Sequence, residues 1–97
     1  MNKWQLESSV IVRRRMGKTG EELAELSSVV SRIQIQGLDA IDPGTGQTNR
    51  QRLIDETADV LAQCYSNIKS LDLPQDEIKQ RTAVKMTLMD EWEGLYK

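Results

Sequence analysis

Apolar residues recur along this chain every three or four positions, through four stretches separated by glycine and proline. The first runs from Asn2 to about Arg15, with Trp4, Ser8, Ile11 and Arg15 on one side, and Gly17 is expected to break it. A second helix is predicted from about Thr19 to Gln36, with Leu23, Leu26, Val29, Val30 and Ile33 on one arc and Gly37 as its stop. Residues 38–48 hold a proline and two glycines without periodicity, so they read as a loop, long for a helix–helix connection. Thr48 or Asn49 can cap a third helix ending near Leu71, before Asp72-Leu73-Pro74. Its apolar side is Leu53, Val60, Cys64, Ile68 and Leu71. A fourth helix is predicted from about Gln75 to Leu95, with Asp76 and Glu77 in its first turn. There is no Phe and no Asn-Gly or Asp-Gly hairpin turn, so strand signals are nearly absent. The expected fold is all-α, a four-helix bundle in one domain over residues 1–97, whose last three helices carry most of the core.

At 97 residues such a domain is only marginally stable alone, and oligomerisation is expected to complete it. The composition, 38% hydrophobic and 29% charged, contains no apolar run near the roughly 20 residues a membrane span requires, so no membrane association is expected. The opening residues show no apolar core followed by a cleavage site, which suggests an intracellular, cytoplasmic protein. Cys64 is alone and is expected to be a packed, reduced thiol. No histidine occurs, which removes His-based triads, His-type zinc sites and imidazole acid–base chemistry. A net charge of −2 argues against general nucleic-acid binding, although Arg13-Arg14-Arg15 concentrates positive charge locally.

Candidate chemistry enters through the carboxylates. At about 100° per residue, Glu22 falls inside the apolar arc of the second helix, between Val29 and Ile33. Glu25 sits on its margin, and Glu21 projects to the polar side. Desolvating a carboxylate costs several kcal/mol unless cations or donors compensate, so Glu22 needs a partner. The third helix repeats the arrangement with Glu56 and Asp59 beside its apolar side, and Gln63 and Asn67 extend the same margin. One acidic pair three residues apart is usually solvated surface. Two pairs on consecutive helices, about 8–10 Å apart when packed antiparallel, would repel strongly and instead suit a hard divalent cation. That chemistry is metal-assisted attack of water on a phosphate ester or anhydride. Pairing about the loop's midpoint would leave the two pairs about six residues, ~9 Å of helix rise, out of level, so the loop is expected to pack asymmetrically.

The segments Glu21-Glu22-Leu23-Ala24-Glu25 and Glu56-Thr57-Ala58-Asp59 resemble the EExxE and ExxD motifs of the MazG-like, all-α nucleoside triphosphate pyrophosphohydrolases. The similarity covers about Lys18 to Leu71. It implies cleavage between the α and β phosphates to a nucleoside monophosphate and pyrophosphate, with Mg²⁺, or alternatively Mn²⁺, held by Glu22, Glu25, Glu56 and Asp59. Glu21 would then support the metal ligands or act on the attacking water. The resemblance also implies a homodimer or dimer of dimers, and basic side chains on the last helix for the triphosphate. Lys85, with Arg81 one turn earlier, fits best; Met89 stands where an amide would be expected. Arg14, Arg15 and Lys18 could neutralise β and γ phosphates. Trp4 could stack on a base, and Asn67 and Gln63 could read base edges. A non-catalytic helical interaction module is the alternative.

Overall fold

In a computed structural model, residues 3–96 are described, and they form three helices, α1 (Val10–Gln36), α2 (Asn49–Ser70) and α3 (Gln75–Gly94). No strand occurs among the described residues, only an isolated antiparallel bridge between Ile41 and Thr48. The all-α expectation holds, but the helix count is three rather than four.

The difference lies at the start of the chain. The expected start at Asn2 falls outside the described residues, and residues 3–8, Trp4 included, are not helical. The Ser9 hydroxyl accepts from Val12 N at 3.2 Å and caps α1 there. Gly17 does not end the helix. Glycine costs about 1 kcal/mol relative to alanine inside a helix, a penalty that neighbouring interactions can outweigh. Here Lys18 pairs with Glu22 one turn on, and both flanking turns continue in register. Helix α1 therefore runs unbroken through Gly20 into the acidic segment and stops at Gly37, whose φ of 95° is a conformation that glycine adopts without strain.

Helices α1 and α2 form an antiparallel hairpin. At its open end the Asn67 amide donates to Thr19 Oγ1 at 2.8 Å, and its carbonyl accepts from Arg15 at 3.4 Å and Gln63 at 3.3 Å. At the loop end the Asn49 amide donates to Gly37 O at 2.9 Å, and Asn49 N donates to Ala40 O at 2.9 Å. Thr48 Oγ1 accepts from Gln51 N at 3.1 Å, capping α2 as expected. Between these ends the apolar content is small: Val29, at 0% exposure, is the one buried hydrophobic side chain among the described residues. Leu26 and Ile33 are half-buried, while Leu23 and Val30 of the same arc stay 50% and 45% exposed. The α1 arc is thus wider than α2 can cover.

Helix α2 closes with Leu71 N on Asn67 O and Leu73 N on Ile68 O, helped by a positive φ at Asp72. Pro74 then starts α3, which contains no buried residue. The expectation that the last helix shares the core is corrected: α3 leaves the hairpin, with only Ile78 half-buried along it. Cys64, expected to be packed, is exposed, although Val60 and Ile68 on either side of it along α2 are half-buried. The chain exposes 8029 Å², whereas a compact 11.0 kDa monomer exposes about 5600 Å². Its radius of gyration, 17.2 Å, also exceeds the ~12.5 Å of a compact domain this long. No described helix is long and apolar enough to cross a membrane.

Candidate metal centre

Glu22 projects from the inner side of α1, two turns before buried Val29, and meets Glu56 and Asp59 from α2. One carboxylate oxygen from each of the three lies within 4.8 Å of the others. The hairpin thereby closes the offset expected from pairing about the loop's midpoint. Residues 42–47 form a closed turn of their own, with Asp42 N donating to Gln47 O at 2.7 Å, and so add little to the distance between the helices.

Of Glu22, one oxygen lies 3.2 Å from Lys18 Nζ and the side chain is 13% exposed. Its Oε2 is buried without a hydrogen-bond partner, and so is Glu56 Oε2. Buried polar atoms are nearly always paired, so two unpaired carboxylate oxygens in one cluster are groups that a cation or donor could satisfy. Opposite ligands of octahedral Mg²⁺ lie about 4.2 Å apart, close to the spread of this trio, and the donor set is all oxygen. The residues fit such an ion. Burial raises the Glu56 carboxyl above the ordinary glutamate value, and the Glu25 and Asp59 charges push it further, against a smaller opposite effect of Arg52. The site therefore disfavours its own full ionisation unless positive charge is supplied.

Of the other sequence-predicted residues, Glu25 is exposed and lies against Glu56, outside the trio. Glu21 is exposed and 3.6 Å from Lys18. Lys18 therefore sits at the rim of the acidic cluster, and Glu22 and Glu21 hold its ammonium protonated beyond the usual lysine range. Arg81 and Lys85 are exposed on α3, away from the packed hairpin, so a single chain does not bring them to the carboxylates. Arg15 is turned to Ser66 and Asn67. Asn67 bonds to Thr19 and Arg15 across the hairpin and to Gln63 one turn earlier on α2. Trp4, 86% exposed on a non-helical segment, is not on a helical stripe.

Sequence reasoning missed Asp42 and its two arginines. Asp42 is 3% exposed and accepts from Arg32 of α1, from Arg52 of α2 at 3.2 Å, from Thr45 Oγ1 at 3.0 Å and from Gly44 N at 3.3 Å. The signal was faint, because at about 100° per residue Arg32 lies roughly 60° from Val29, outside the apolar arc and beyond Glu25. Compared with known proteins, the chain matches no family model, and neither curated proteins nor solved structures show a significant match.

Proposed function

We propose that this chain is a Mg²⁺-dependent nucleoside triphosphate pyrophosphohydrolase of the MazG-like kind, acting on a cytoplasmic (deoxy)nucleotide to give the monophosphate and pyrophosphate. The observation that carries the reading is the Glu22–Glu56–Asp59 cluster, with an orphaned buried oxygen on each glutamate. Glu25, against Glu56, supplies a fourth carboxylate at the margin. When bound, Mg²⁺ would neutralise phosphate charge and make water a stronger nucleophile. The protein's own groups then have separable tasks. Glu22, Glu56 and Asp59 would hold the cation, and exposed Glu21 would accept a proton from the attacking water. Lys18, 3.2 Å from Glu22 at the rim of the cluster, would bind a phosphate oxygen.

The remaining phosphate contacts, Lys85 and Arg81, require a second copy of the chain. An excess of roughly 2400 Å² of exposed surface per chain is what an obligate homodimer buries, which supports a homodimer or dimer of dimers. Trp4, 86% exposed, would contribute its ring to a base or to that interface. The same bare apolar surface favours the second reading, a helical interaction module without catalysis. Incubation with each common (deoxy)nucleoside triphosphate and Mg²⁺ tests the first. Monophosphate plus pyrophosphate is the expected outcome; orthophosphate plus diphosphate places the cut at the wrong bond, and no turnover of any nucleotide supports the interaction module.

A further inference from the structure

The acidic cluster depends on axial register. A slip of one helical turn moves one helix 5.4 Å along the other, more than the 4.8 Å within which the three carboxylate oxygens lie. Apolar packing is non-directional and sets register weakly when little of it is present, and Val29 is the only buried hydrophobic side chain among the described residues. Register must then come from polar contacts. The open end is held by neutral or singly charged hydrogen bonds around Asn67. The loop end is held by a buried carboxylate shared between two guanidiniums, one from each helix. Charge-assisted bonds of this kind are about twice as strong as neutral ones.

We propose that Asp42 is a positioning residue for the acidic site: by bridging Arg32 of α1 and Arg52 of α2 it sets the offset at which Glu22 meets Glu56 and Asp59. Three features support this role. The carboxylate is fixed within its own loop by Thr45 Oγ1 and Gly44 N, so it is a rigid post rather than a free side chain. The loop backbone is tied to α2 by Arg50 N on Leu38 O at 2.7 Å and Asn49 N on Ala40 O at 2.9 Å, and to α1 by Gly37 N on Ile33 O at 2.8 Å. Arg52 lies one turn before Glu56 on α2, so the post acts close to the site. Asp39 makes a contrast, since its exposed pair with Arg50 links the loop to α2 and leaves α1 untouched.

The role in cation binding rests on the metal-site reading, whereas the role in register does not, and one experiment on the full chain separates them. Spin labels on exposed Cys64 of α2 and on Ser27→Cys of α1 report the inter-helix distance, while Mn²⁺ titration followed by electron paramagnetic resonance on unlabelled protein reports binding. Wild type should give one narrow distance distribution. Asp42→Asn should broaden or shift it and raise the Mn²⁺ dissociation constant at least tenfold, and Asp39→Asn should change neither. Arg32→Gln cuts only the α1 arm and leaves Asp42 paired with Arg52, so it should reproduce both effects even if Asp42→Asn does not fold. A narrow, unshifted distribution in Arg32→Gln overturns the proposal and means that the Thr19–Asn67 end sets register alone. Broadening in the variants, with no Mn²⁺ binding by wild type, upholds the clamp and removes the metal site.

Discussion

Glu22 on α1 and Glu56 on α2 each bury one carboxylate oxygen without a partner, and the two side chains face each other in the same acidic cluster. A fold with so little buried apolar surface gains nothing from concentrating like charges at its centre. In the proposed function a bound cation would offset that repulsion.

Glu56 gives this repulsion a pH signature. Its folded-state value lies above the ordinary 4.5, so between the two values the folded chain binds more protons than the unfolded one. Stability of the chelator-treated protein should therefore rise as pH falls from 7 toward 4.5. Urea midpoints across that range should show a steeper rise in wild type than in Glu56→Gln. Parallel curves would mean that Glu56 is not strained by its neighbours.

Asp42 carries the opposite sign. Burial alone would raise its value, but Thr45, Gly44 and the arginines outweigh it and hold the carboxyl below 3.8. The unfolded chain then takes up the proton first, and stability is lost as pH falls below 3.8 through the depressed value. The stability gap between wild type and Asp42→Asn should be full at pH 5 and narrow toward pH 2. Equilibrium urea unfolding at both ends measures it.

Gly17 and Gly20 test the continuity of α1. Both lie inside the helix, and a Cβ built on either meets nothing within 4 Å. Gly17→Ala should stabilise the protein by about 1 kcal/mol, the alanine–glycine difference of a helix interior. A loss of stability would show that the chain needs a flexible break at this point.

Val29 and Leu23 share an arc but not a fate. Val29→Ala removes a fully buried side chain and should cost about 2 kcal/mol at every protein concentration. Leu23 is half exposed, and Leu23→Ala should mainly alter how the urea midpoint depends on protein concentration. Equal and concentration-independent losses would argue that the bare side of α1 is not an interface.

Much of this fold was legible in local pattern. Gly37, Thr48 and Pro74 mark helix ends through backbone chemistry that needs no partner, and the structure places those ends beside them. Gly17 misled because a glycine penalty of about 1 kcal/mol is outweighed once neighbouring turns are held. The burial of Glu22 was legible too, since its position on the arc next to Val29 dictates it. Asp42 was not, because an aspartate before proline and glycine reads as a turn residue. Its burial depends on Arg32 and Arg52, which reach it from two different helices. The position of α3 was illegible for a related reason: an amphipathic face predicts that something covers it, without saying whether that is the same chain.

The central claim, a divalent cation held between α1 and α2, is tested most directly by melting the full chain with and without Mg²⁺, for wild type and Glu56→Gln. At a concentration about 100 times its dissociation constant, a ligand bound only to the folded state stabilises by about 2.7 kcal/mol, roughly 10 °C or more for a chain of this size. Wild type should show that rise. Glu56→Gln should melt higher than wild type without Mg²⁺, because one repelling charge is gone, and should respond little to its addition. An equal Mg²⁺ response in both proteins, or none in wild type, would contradict the claim.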